Sequence, residues 1–201
     1  MTAVFKTAYL ACRHYRRLRN ALGTWTSLWS GDGYFDALGG LTQPEIDGLV
    51  GWIREAIAAS GKPAAEFVVV EVGTLFGFTA KAIAERTGAK VRAIDNFSWN
   101  PFGMPGEAHA RFTRSVLSGT AVELVEASAE PKFYRGADFV FLDGDHTYGA
   151  VRREIAEVRA AGVRLLSGHD YANGRFGVTR AVDEAFGRPD ATAGLCWLKR
   201  C

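Results

Sequence analysis

Hydrophobic and polar positions along the chain change period several times, and the changes mark out its elements. Phe139, Val140, Phe141 and Leu142 are four consecutive large apolar residues, which suits a strand covered on both faces. Shorter apolar or alternating runs predict further strands at 67–73, 90–95, 121–127, 163–168 and 193–199. Between them, spacings near 3.6 predict helices over 78–88, 106–119, 147–162 and 177–187. Upstream, Thr42 stands three residues before Glu45 with Pro44 between, a capping-box spacing. Ile46, Leu49, Val50, Ile53 and Ile57 form the stripe of the helix that follows, and Gly61 ends it. A first helix is expected from Val4 to about Leu22, then a Gly-rich loop holding Trp25, Trp29, Tyr34 and Phe35. Strands alternating with helices at this spacing predict an α/β fold with a mainly parallel central sheet and helices on both faces.

At 201 residues the chain is long enough for one sizeable core. Its net charge of +2 is unevenly placed: the first 31 residues carry +5, from Lys6, Arg13, Arg16, Arg17 and Arg19, and the remainder −3. That asymmetry fits either a nucleic-acid or membrane-facing surface or the solvated face of a helix. Cys12, Cys196 and Cys201 are widely spaced with no CxxC pair, so neither a disulfide framework nor a zinc knuckle is indicated. With no apolar leader and no stretch of membrane-spanning length, a cytoplasmic protein is the expectation.

Chemistry-bearing residues fall where strands end. Asp143, Asp145 and His146 follow the apolar run at once, and in open α/β sheets ligands sit outside the carboxyl ends of the strands. A plainer reading makes Asp145 or Thr147 the cap of the next helix and His146 a surface residue. In "EVGTLFGFT", Gly73 and Gly77 separate a strand from a helix. Gly73 permits a tight turn and close backbone approach, and Gly77 lets the helix begin against it. Asp95 ends the next strand, where a carboxylate can accept hydrogen bonds from both ribose hydroxyls. The spacing is neither GxGxxG nor a Walker loop. Glu71 at the strand end would repel phosphates and favour an amine-bearing cofactor, which leans away from NAD and ATP.

From about Glu66 onward the chain resembles class I S-adenosylmethionine-dependent methyltransferases, in particular the macrocin O-methyltransferase and cephalosporin-hydroxylase-like subgroup. The resemblance rests on "EVGTLFGFTAKAIAE", "AIDNFSW", "DFVFLDGDHTYGAVRREI" and "LLSGHDYANGRFGVTRAVDEAF". It implies a Rossmann-like methyltransferase fold over 63–201. Residues 1–62 lie outside the resemblance, and their helical periodicity leads us to expect an extension that packs on that core as a lid or dimer contact. It places S-adenosylmethionine against Glu71, Gly73, Thr74, Gly77, Thr79, Asp95, Asn96, Phe97, Ser128 and Asp143. It implies a divalent metal, Mg2+ or Mn2+, on Asp143 and Asp170, with His146 as candidate base. His169 is a second catalytic candidate, a residue that orients Asp170, or a softer ligand. No third carboxylate for the metal is matched, and the usual closing β-hairpin is expected to be reduced to little more than one strand after Pro189. The implied activity is O-methylation of a small-molecule hydroxyl. Nucleic-acid methylation, which the basic N-terminus would suit, and a non-catalytic cofactor-binding protein are the alternatives.

Overall fold

The computed structural model describes residues 41–99 and 106–201. The expected Val4–Leu22 helix, the aromatic group Trp25, Trp29, Tyr34 and Phe35, and Phe102 and Met104 lie outside the described residues.

Helix α1 (Gln43–Ser60) leads by a short 3-10 turn (Ala64–Glu66) into β1 (Val68–Val72), α2 (Phe78–Thr87), β2 (Lys90–Ile94), α3 (Gly106–Leu117) and β3 (Val122–Val125). A one-turn helix α4 (Pro131–Tyr134) precedes β4 (Phe139–Leu142), α5 (Tyr148–Ala160), β5 (Leu165–Gly168), α6 (Val178–Phe186), β6 (Ala191–Ala193) and β7 (Cys196–Arg200). The seven strands form one sheet in the order β3-β2-β1-β4-β5-β7-β6. Strands β1 to β5 pair in parallel, and β7 runs antiparallel to both β5 and β6.

The apolar run of β4 explains how the sheet is covered. Successive side chains of a strand point to opposite faces. Phe139 and Phe141 join a core formed with Ile46, Leu49 and Ile53 of α1, Ala80 and Ile83 of α2, and Phe112 of α3. Val140 and Leu142 join the opposite core, with Val151, Ile155 and Val158 of α5, Ala181 and Val182 of α6, and Tyr134 of α4. With both faces covered, each of the four residues contributes about 1.5–3 kcal/mol of burial, and no position on the strand is left for a wet side chain until it ends at Asp143.

One expectation needs correction. The closing hairpin is present: β6 and β7 pair as Ala191–Leu198 and Ala193–Cys196, with Gly194 at φ +58° in the turn. Three residues, Ala191 to Ala193, are too few to show alternation, so the sequence pattern registers only the second arm. The one-turn helix α4 also goes unannounced, because four residues carry no helical period. No helix among the described residues is long and apolar enough to cross a membrane.

Candidate active site

Parallel register lines up the residues that follow four strands. Val72 pairs with Ile94 on one side and Leu142 on the other, and Leu142 pairs with Gly168. The next residue of each strand, Asp95, Gly73, Asp143 and His169, therefore stands in one row at the carboxyl edge of the sheet. The ladder continues through them: Gly73 N–H donates to Ile94 O, Asp143 N–H to Val72 O, and His169 N–H to Leu142 O. Because the chain crosses from β3 to β4 past β1, this edge contains the switch point at which such sheets bind ligands.

The turn after β1 is built tightly. Gly73 has φ +86°, and a Cβ there would lie 2.1 Å from the Asp143 carbonyl oxygen and 2.6 Å from Gly144 Cα. The close approach that this glycine permits is thus that of the chain's own 143–144 segment. Gly77, at φ +83°, precedes α2 and packs against Leu117 and Thr113, where a side chain would clash. Glu71 is buried beneath the turn and its Oε2 accepts the Thr74 hydroxyl at 2.8 Å. Burial pushes its carboxyl up to about 8 against the Thr74 hydrogen bond, with Asp143 and Asp95 adding to the rise.

Asp95 holds the next loop in place. Its Oδ2 accepts Leu75 N–H and its Oδ1 accepts Phe97 N–H, each at 2.7 Å. A carboxylate oxygen has two lone pairs, so each still has room for a ribose hydroxyl. Asn96 Nδ2 donates to Ser128 Oγ at 3.0 Å, joining the loops after β2 and β3, while Thr79 is buried in the first turn of α2. His109 lies buried between Phe76 and Phe97, with centroids at 4.8 and 4.9 Å. Burial lowers its pKa despite the opposing influence of Asp95. Trp99, further along this loop, is exposed.

Beside this turn lies a cluster of acids and imidazoles. His146 Nδ1 is 2.8 Å from Asp170 Oδ2, and its Nε2 is 3.3 Å from Asp143 Oδ1. His169 Nδ1 lies 3.5 Å from Asp143 Oδ1 and 3.7 Å from Asp170 Oδ2, and its Nε2 is 3.4 Å from Glu45 Oε1. Burial works against charge on both imidazoles, but for His146 the contacts to Asp143 and Asp170 outweigh it. For His169 those to Asp143, Glu45 and Asp170 do so, and each ring is lifted to about 10. Asp170 is buried; His146 and Asn173 overcome the effect of that burial and lower its pKa. One ligand atom each from Asp143, His169 and Asp170 lie within 4.8 Å of one another. Two carboxylates and an imidazole brought that close are a donor set that fits a divalent cation.

Glu45 is the residue that sequence patterns do not place here. It reads as the capping partner of Thr42, and nothing local links it to residues more than a hundred positions on. Phe176 is missed too: it is exposed, and its ring meets His146 edge-on with centroids 4.9 Å apart. Backbone strain gathers at the same edge. Leu75, Phe97, Asp170 and Ala172, with φ between 49° and 64°, are the non-glycine residues at positive φ among those described, and all follow β1, β2 or β5.

No protein-family model matches the chain, and no curated protein matches it. Among solved structures it is similar to cofactor-bound Rv0187 from MTB, at 20% identity and a TM-score of 0.44, over 71% of this chain and 64% of that one. It is similar to monomeric WbdD at 15% identity and a TM-score of 0.57, over 89% and 48%. A candidate rRNA-methylase from Clostridium thermocellum matches at 12% identity and a TM-score of 0.52, over 79% and 98%. The chain spans less than two thirds of the first two structures. Sheet order and the likenesses to WbdD and the rRNA-methylase together give the fold: α/β, Rossmann-like, of the methyltransferase type.

Proposed function

We propose that the chain is an S-adenosylmethionine-dependent O-methyltransferase of the macrocin-type subgroup, acting on a hydroxyl of a small molecule. The observation that carries this reading is the contact of Gly73 with the Asp143–Gly144 backbone. Through it the turn suited to a cofactor and the acid–histidine cluster share a wall, so a donor in one lies beside an acceptor in the other. Proximity and orientation supply much of the rate of such a transfer.

Bound S-adenosylmethionine supplies a methyl group on a sulfonium; the acceptor oxygen forms the new C–O bond as the C–S bond breaks and its electron pair stays on sulfur. Asp95 is placed to hold the ribose, and Asn96, Phe97 and Ser128 flank the adenosine side. An alcohol or phenol keeps its proton near neutrality, so the site must remove it. A divalent cation held by Asp143 and Asp170 would lower the hydroxyl pKa and relieve the negative field on His146. His146 is fixed through Nδ1 by Asp170 at 2.8 Å, which leaves Nε2, 3.3 Å from Asp143 Oδ1, as the nitrogen to receive the proton. Phe176, exposed against the His146 ring, offers an apolar wall for a sugar or phenol beside the base.

The test is transfer of labelled methyl from S-adenosylmethionine into pooled hydroxylated metabolites, with ribosomal RNA as the competing acceptor. Label in a small-molecule ether supports the reading. Label confined to RNA, or none in either, overturns it.

A further inference from the structure

Glu45 is held more firmly than a helix cap requires. Its Oε2 accepts both the N–H and the hydroxyl of Thr42 at 2.8 Å, and its Oε1 accepts Leu195 N–H at 2.8 Å. The β6–β7 turn presses on it, because a Cβ at Gly194 would lie 2.6 Å from Glu45 Cγ and Oε1. A fixed anion thus stands 3.4 Å from His169 Nε2, on the side of the ring away from Asp143 and Asp170.

A carboxylate can only accept, so the Glu45 side of the ring calls for Nε2–H, and a neutral imidazole then carries its lone pair on Nδ1. That lone pair faces two carboxylates, at 3.5 and 3.7 Å. Nitrogen and carboxylates can stand at that spacing only with a proton or a metal cation between them, and a bound metal would take the proton's place. Two ligands about 2.1 Å from a shared ion and 90–110° apart are separated by about 3.0–3.4 Å, close to these spacings. Carboxylate, imidazole and metal in line is the usual way an outer carboxylate fixes the tautomer of a metal-bound histidine.

Resting on the methyl-transfer reading above, we propose that His169 Nδ1 completes a mixed nitrogen–oxygen metal site with Asp143 and Asp170, with Glu45 as its positioning residue. The site therefore takes manganese or a later first-row divalent metal in preference to magnesium, which favours oxygen ligands and retained water. Glu45 supplies from α1 the outer carboxylate of a site whose ligands all follow β4 and β5.

The experiment uses the full chain and the metals alone. Mn2+ is titrated by the EPR signal of the free ion, Mg2+ is tested as competitor, and pulsed EPR reads 14N coupling to bound Mn2+. Expected are a 14N coupling that survives H146A and disappears in H169A, and Mg2+ displacement only at about 10-fold excess or more. E45Q is expected to weaken Mn2+ by about 10–100-fold. In the double variant E45Q adds nothing to H169A, because Glu45 acts through that ring. A coupling absent from wild type or retained in H169A, equal competition by Mg2+, or additive losses would overturn the proposal. Should E45Q fail to fold, E45D, whose carboxylate is one methylene shorter, takes its place, and the H169A arms decide independently. Calorimetric binding of S-adenosylhomocysteine to the same samples separates the two levels: product binding without nitrogen on the metal sinks this inference alone, and no product binding sinks the methyl-transfer reading.

Discussion

Gly73 and Asp143 are in backbone contact: the hydrogen that serves Gly73 as a side chain points at the Asp143 carbonyl oxygen, and a methyl group there would sit 2.1 Å from it. The loops after β1 and β4 are packed against each other at this point. Gly73→Ala is expected to destabilise the fold by more than about 2 kcal/mol, from the positive φ and the clash together. It should also weaken cofactor product and slow turnover in one step. Thermal unfolding with calorimetric titration of S-adenosylhomocysteine checks this, and an unchanged melting point would show that the two loops are independent.

Asp95→Ala removes the acceptor for two backbone amides and, on the proposed reading, for the ribose. Product affinity should fall about 10-fold or more, since a charge-assisted hydrogen bond contributes about 1.5–3 kcal/mol. Calorimetry reads the loss, with NAD as the control that should not bind. Binding of NAD in place of the methyl donor's product would refute the cofactor assignment.

Glu71 predicts how stability depends on pH. Its folded pKa is raised from 4.5 to about 8, so between those values the folded chain keeps a proton that the unfolded chain has lost. Stability is therefore expected to fall as pH rises through that window, by as much as a few kcal/mol at its alkaline end. Glu71→Gln removes the titration and should flatten the slope, gaining on wild type at pH 8.5 relative to pH 5. Urea midpoints at the two values provide the comparison; parallel slopes for both proteins would mean that the folded chain does not hold the proton.

For the chemical step, His146→Ala is expected to cut kcat about 100-fold or more, the usual contribution of a positioned base. Asp143→Asn and Asp170→Asn should lower kcat with little change in affinity for the cofactor product, and chelation should suppress wild-type turnover. Initial rates with an identified acceptor, before and after chelation, decide it. Full activity in chelator with all three variants unimpaired would make the "DGDH" segment a structural turn.

Much of this architecture is legible in the sequence because its strands are buried on both faces. Runs such as Phe139 to Leu142 and Phe67 to Val72 cannot be mistaken for solvated strands, and the polar residues that follow them mark the carboxyl edge where the acids and imidazoles cluster. Asp143, His146, His169 and Asp170 were legible for that reason, being local to strand ends. Glu45 was not. Its partner Leu195 is 150 positions away, and its local signature is that of a helix cap, a role it also fills. The burial of Glu71 was hidden as well: a carboxylate at a strand end looks exposed until the turn above it is seen to fold back. Strand β6 and helix α4 escaped because three or four residues show no period at all.

The positions at positive φ carry a consequence for how this protein would respond to selection. Elsewhere among the described residues such positions are glycine, and only the carboxyl edge of the sheet keeps Leu75, Phe97, Asp170 and Ala172 there. Each costs about 1–2 kcal/mol relative to a relaxed backbone. Of the four, exposed Ala172 is the one a glycine could replace without losing buried contacts or a charge. A library screened only for heat tolerance is therefore expected to recover Ala172→Gly early, and a library screened for turnover to discard it, because the slack gained by the loop is slack in the placement of its neighbour Asp170.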